Sequence, residues 1–150
     1  MKIIAYGSLM NSDSLAASLG RPAHLTKITV HGYSRVFNAP FDGYAFLNLK
    51  PTPEESIEAA YFELQRPELA HFAVREAGAE IIEIIPNFYA FIWSLSLAPE
   101  IPVLQSYINF CDSAARAMGI NFWHGLIMPT STIIDDREKP LYGLDKPVKL

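Results

Sequence analysis

Short apolar segments separated by turn residues follow one another along this chain, without a regular alternation of strands and helices. Segments rich in β-branched and aromatic residues predict six strands, at residues 2–6, 25–37, 44–49, 57–64, 80–85 and 88–97. Helical patterning is confined to three segments, at residues 12–19, 67–77 and 102–118. Because consecutive strands are joined by short turns, this order favours an antiparallel sheet over a doubly wound parallel one.

The sequence therefore predicts an α+β fold, a small and mostly antiparallel β-barrel of about six strands with flanking helices. Closing short strands into a barrel removes exposed edges and leaves a mouth where a ligand can bind. A chain of 150 residues suits a single domain. The polar, proline-punctuated stretch from about residue 129 predicts an irregular C-terminal tail within that domain.

Composition excludes several classes of function. Twelve basic against sixteen acidic residues give a net charge of −4, whereas a nucleic-acid-binding face needs surplus Lys and Arg. Cys111 has no second cysteine to pair with, and the four histidines lack metal-ligand spacing. The uninterrupted apolar run at residues 88–98 is about half of what a membrane-spanning helix needs. With no secretion signal either, we expect a cytoplasmic protein without nucleic-acid, metal or membrane partners.

The first candidate site is the segment Tyr6-Gly7-Ser8-Leu9, between the first predicted strand and the first helix. Glycine lets the backbone turn sharply and approach a ligand closely. The amides of Gly7, Ser8 and Leu9 would then face a common point, and the following helix N-terminus adds positive potential. Such a cradle suits a carboxylate. The alternative is a plain strand-to-helix turn.

The second candidate is Glu76, which shares one face of the predicted helix with three apolar residues, Leu69, Phe72 and Ala73. That face is expected to point inward and to carry the Glu76 carboxyl toward the core or a cavity. Burial and the dipole at the helix C-terminus would both raise its pKa, which suits proton transfer near neutral pH. Glu76 would otherwise point outward or pair with Arg35 or Arg75, and Glu80 is the nearest rival carboxyl.

The chain resembles the γ-glutamylcyclotransferase superfamily over roughly residues 3–120. The start, residues 5–9, resembles the signature of that superfamily, and residues 31–37 resemble its second block. Residues 47–53 and 57–64 resemble its next two strands. Arg75-Glu76 falls where the family carries its catalytic glutamate and is most similar to the glutathione-specific, ChaC-like branch. The segment from Tyr107 to Gly119 resembles the family's late helix.

The resemblance implies cyclisation of a γ-glutamyl amide to 5-oxoproline with release of an amine. Glu76 would be the general acid and base, the amides of Gly7, Ser8 and Leu9 would hold the α-carboxylate or the developing oxyanion, and Tyr6 would line the pocket. No cofactor is implied, because the substrate's own α-amine is the nucleophile. A non-catalytic module that binds γ-glutamyl compounds or carboxylates on the same fold is the alternative. The residues leave open the amine half of the substrate and the oligomeric state.

Overall fold

The computed structural model of the chain describes residues 1–94, 101–128 and 132–137. Predicted strand residues 95–97, and all of the predicted tail except 132–137, lie outside the described residues. The strands are β1 Lys2–Ala5, β2 Thr26–Phe41, β3 Tyr44–Glu63, β4 Glu80–Ile85, β5 Phe88–Ile92, β6 Val103–Leu104, β7 Leu126–Ile127 and β8 Ile134–Asp135. The helices are α1 Ser12–Leu19 and α2 Gln105–Ala117, with two 3₁₀ segments, Ser8–Met10 and Arg66–Phe72.

The fold is α+β, as predicted, and its main sheet is mixed. Six strands lie in the order β4-β5-β1-β3-β2-β7, and β6 pairs with β8 separately. The β1–β5 and β2–β7 pairs are parallel, and the other pairs of this sheet are antiparallel. The edge strands β4 and β7 are not paired to each other in the described residues, so the predicted closed barrel is not confirmed. β7 has two residues, too few to pair along the six residues of β4.

The long hairpin of β2 and β3 replaces two shorter predicted strands. Residues 44–49 and 57–64, predicted as two strands, belong to one continuous strand that runs through Pro51 and Pro53. Pro51 lies opposite Tyr33, Pro53 has no partner in the described ladder, and β1 pairs only with residues 60–63 of β3, so the missing N–H groups are tolerated. The ladder is irregular beside Gly32, which has φ 80°. His31 pairs with Ser56 and Tyr33 with Pro51, so residues 52–55 of β3 bulge opposite a single residue of β2.

The two α-helices lie within the segments that the sequence predicts as helical. The Asn11 side chain accepts a hydrogen bond from the Ser14 amide at 2.8 Å and caps α1, which ends at Gly20 with φ 72°. Helix α2 begins at Gln105 rather than at residue 102, because Val103 and Leu104 belong to strand β6. Cys111 lies on the buried face of α2, in the core. No helix in the described ranges is long and apolar enough to cross a membrane.

The predicted helix at residues 67–77 is wrong in its second half. A 3₁₀ segment spans Arg66–Phe72, with a capping box between Gln65 and Glu68, and the chain then continues in turns to Gly78. Ala73 is exposed rather than inward-facing. The turns are held from outside the segment, since the Trp93 indole donates to the Ala77 carbonyl oxygen at 3.2 Å. Because the chain leaves the 3₁₀ segment at Phe72, Arg75 and Glu76 lie over the end of β1.

Candidate active site

The chain leaves the sheet at Tyr6, immediately after β1. The Tyr6 hydroxyl donates a 2.6 Å hydrogen bond to the Phe91 carbonyl oxygen on β5, which fixes the ring beside the strand end. Burial, and secondarily the Glu76 carboxylate, raise the pKa of Tyr6 well above its ordinary value. The hydroxyl therefore keeps its proton at physiological pH and serves as a neutral wall of the site.

The hydrogen-bond ladder between β1 and β3 ends at this point, because Arg35 takes the next carbonyl oxygen of β3. Residues that exchange hydrogen bonds recur every second position in an antiparallel pair, and here the series begins with Met1 and Leu64. In that register Gly7 and Glu58 would be a hydrogen-bonded couple. The Glu58 carbonyl oxygen instead accepts from the Arg35 guanidinium, which is fully buried. The Gly7 amide is thereby released from the sheet.

Where the β1–β3 ladder is interrupted, three consecutive backbone amides lie outside the sheet. The N–H groups of Gly7, Ser8 and Leu9 donate no hydrogen bond to any residue that the structure describes. The carbonyl oxygens of Gly7 and Ser8 accept from Met10 and Asn11 at 3.0 and 3.1 Å, which closes the 3₁₀ turn and fixes the amides' orientation. The segment predicted as an anion cradle thus has free donors.

Arg75 ties the Glu76 turn to α1 and to the cradle. One of its terminal nitrogens donates to the Ser14 carbonyl and hydroxyl oxygens, at 3.1 and 2.7 Å, and to the Ser18 hydroxyl at 2.9 Å. The other donates to the Ser8 hydroxyl at 3.0 Å. Its side chain is 7% exposed, so this cation is almost wholly buried. These four bonds hold the backbone next to Glu76 in place.

The Glu76 carboxyl is buried beside that arginine. Its side chain is 10% exposed, and its Oε1 lies 3.5 Å from the Arg75 Nε, which has no hydrogen-bond partner of its own among the described residues. Burial raises the pKa of Glu76 to about 7, and the nearby Arg75 charge offsets only part of that effect. The predicted contribution of a helix dipole does not apply, because Glu76 lies in a turn. The carboxyl takes up and releases a proton near neutral pH.

One cavity of about 250 Å³ brings the candidate residues together. Tyr6, Gly7, Ser8, Leu9 and Glu76 all line it. Its remaining walls are Arg75, Tyr107 and a set of apolar residues: Ile4, Ala39, Pro40, Phe41, Phe46, Leu47, Val74, Ala77, Phe91 and Trp93. The rival carboxyl, Glu80, is exposed on β4 and is not part of this lining. Among the described residues, no group of three His, Cys, Asp or Glu side chains is placed to hold a metal ion.

Sequence reasoning missed two side chains of the site. Tyr107 was given no role in the site, although it stands on the apolar stripe of α2, and its hydroxyl lies 3.2 Å from the point where a Cβ on Gly7 would be. Trp93 supports the Glu76 turn through its bond to Ala77. The polar tip of Tyr107 within an apolar stripe was a usable signal. Nothing local in the sequence pointed to Trp93.

Comparisons with known proteins bear on the fold. No protein-family model and no curated protein matches the chain. A solved γ-glutamyl cyclotransferase superposes with a TM-score of 0.67 at 11% identity, over 79% of each chain. An uncharacterised human protein gives 0.66 at 12% identity, also over 79% of each chain. YkqA from Bacillus subtilis gives 0.59 at 14% identity, over 78% of this chain and 48% of that one.

These likenesses define the class of structure. The chain has the γ-glutamylcyclotransferase-like fold, as the sequence resemblance led us to expect. At such identities the likeness extends to the fold and not to the chemistry. The function must therefore be argued from the cavity itself, which offers three amides with no partner among the described residues and a carboxyl with a pKa of about 7.

Proposed function

We propose that this protein cyclises a γ-glutamyl amide to 5-oxoproline and releases an amine, with Glu76 as general acid and base. The observation that carries the proposal is the buried Glu76 carboxyl, with a pKa of about 7, in the same cavity as the unpartnered amides of Gly7, Ser8 and Leu9. A carboxyl that exchanges protons and a cradle for negative charge are what this reaction demands of a protein.

The reaction needs little else, because the substrate supplies its own nucleophile. Its α-amine attacks its γ-carbonyl carbon, one C–N bond forms, and the C–N bond to the departing amine breaks. Holding the glutamyl group in a ring-closing pose supplies a large part of the rate enhancement. The α-ammonium must lose a proton before it attacks, and the leaving amine must gain one. Ionised Glu76 accepts the first proton and, once protonated, delivers the second.

The amides of the cradle have a defined task in this scheme. They donate to the substrate α-carboxylate, or to the oxyanion that develops on the γ-carbonyl oxygen as the ring closes. Arg75 cannot readily take that role, because its terminal nitrogens already donate to Ser8, Ser14 and Ser18. It holds the cradle and the Glu76 turn at a fixed separation instead.

The test is release of 5-oxoproline from a panel of γ-glutamyl amides by the wild type, E76Q and E80Q. Glu80 is a matched control, since it lies four residues away on an exposed strand. We expect the wild type and E80Q to be equally active, and E76Q to lose activity by at least about 100-fold while still binding substrate. Unchanged turnover in E76Q would refute the role of Glu76. Binding of γ-glutamyl compounds without any turnover by the wild type would support the binding module.

A further inference from the structure

The walls of the cavity restrict what the departing amine can carry. The charged side chains among its lining residues are Arg75 and Glu76. The other polar groups, on Tyr6, Ser8, Trp93 and Tyr107, are neutral, and two of them are already donors to backbone oxygens, namely the Tyr6 hydroxyl and the Trp93 indole. Every remaining described wall beyond the cradle is apolar.

A leaving group with a carboxylate would find no free cation among the described residues of this lining. The terminal nitrogens of Arg75 are engaged with Ser8, Ser14 and Ser18, and its Nε faces Glu76 at 3.5 Å. An amino acid or a peptide bonded through its amine to the glutamyl group always brings a carboxylate with it. A carboxylate desolvated against these apolar walls without a partner is strongly disfavoured. Aliphatic or aromatic surface, in contrast, gains by contact with Phe46 and its apolar neighbours.

We propose that the substrates are γ-glutamyl amides of uncharged, apolar amines rather than γ-glutamyl amino acids or peptides. This inference rests on the proposed function and specifies its substrate class. The volume of about 250 Å³ is slightly below the range of roughly 300–1,000 Å³ found for sites of drug-sized ligands, and it suits a glutamyl group with a small alkyl or aryl amide.

The experiment compares pairs of compounds that differ by one carboxylate. γ-Glutamyl-ethylamide is γ-glutamyl-alanine without its carboxylate, and γ-glutamyl-phenethylamide is related in the same way to γ-glutamyl-phenylalanine. We expect kcat/KM to be higher for the neutral member of each pair by at least about tenfold. Glutathione, which ends in a carboxylate, should behave like the charged members.

A lysine introduced at the rim of the cavity provides a second test of the substrate class. Val74 lines the cavity, is 79% exposed and takes no part in the proposed chemistry. V74K should narrow the preference for neutral amides about two- to fivefold by pairing with the carboxylate, and V74Q should leave it unchanged. Any effect of the new lysine on Glu76 acts on both members of a pair, so it cancels in their ratio.

The outcomes separate the two proposals. If the wild type converts the carboxylate-bearing members as fast as the neutral ones, or faster, the substrate class is wrong and the cyclotransferase activity stands. If no member of either pair is converted, the proposed function itself fails, and the substrate class falls with it. A preference for neutral amides that V74K narrows and V74Q does not would support both.

Discussion

Replacing Glu76 with glutamine should stabilise the folded protein at alkaline pH. Burial raises the pKa of this carboxyl from an ordinary 4.5 to about 7, so ionising it in the folded protein is less favourable by about 3 kcal/mol, at roughly 1.4 kcal/mol per pKa unit. The folded state binds this proton more tightly than the unfolded state. Stability from this group is therefore fully present below about pH 4.5 and is lost as the pH rises through about 7. Glutamine does not ionise, so E76Q does not lose this stability as the pH rises.

Urea unfolding at pH 5 and pH 8 measures the effect. Between these two pH values we expect the free energy of unfolding of the wild type to fall by about 2–3 kcal/mol relative to that of E76Q. Other titrating groups are common to both proteins and cancel in the comparison. E80Q should follow the wild type, because Glu80 is exposed. If the wild type and E76Q lose stability equally, the Glu76 carboxyl is not buried in an unfavourable environment and the electrostatic argument fails.

Three further predictions address the chemistry and the framework of the site. For the proposed reaction, kcat/KM measured by 5-oxoproline release between pH 5 and 9 should rise through about pH 7, because Glu76 must be ionised to accept the substrate's proton; a rise centred near pH 4.5 would contradict this. G7A places a Cβ 3.2 Å from the Tyr107 hydroxyl and should cost about 1–2 kcal/mol in urea unfolding. Adding Y107F should restore part of that loss, and no restoration would argue against the close approach. R35M leaves buried carbonyl oxygens unpaired and should cost about 3–5 kcal/mol or prevent folding; a loss below about 1 kcal/mol would show that these bonds are dispensable.

Local signals predicted the elements whose boundaries are chosen locally. Helix α1 has its predicted bounds, 12–19, because its caps at Asn11 and Gly20 are properties of a few adjacent residues. The strand at residues 80–85 has the predicted bounds. Strand β3 was divided in error, because the sequence shows the prolines but not that the strand continues past them as a bulge opposite Gly32.

The candidate site was predictable to the extent that its residues stand in short motifs. Gly7 and its neighbours were found as a strand-end turn, and Glu76 was found by its spacing, although the helix that motivated the spacing ends at Phe72. The inward position of Glu76 depends on Arg75 bonding to serines some sixty residues earlier, and on the Trp93 indole bonding to Ala77, sixteen residues before it. Such contacts depend on the tertiary arrangement and leave no periodicity in the chain.

The bonds of Arg35 also bear on the order in which the protein is assembled during synthesis. This one side chain donates to carbonyl oxygens of Tyr6, Glu58, Phe122 and His124. Its partners thus span the chain from the first strand to the segment after α2. The residues of the cradle leave the ribosome early, but the arginine that interrupts the ladder beside them is fully held only when the segment near residue 124 has followed. The nascent chain is therefore expected to acquire a competent binding site late, after most of the sheet has formed.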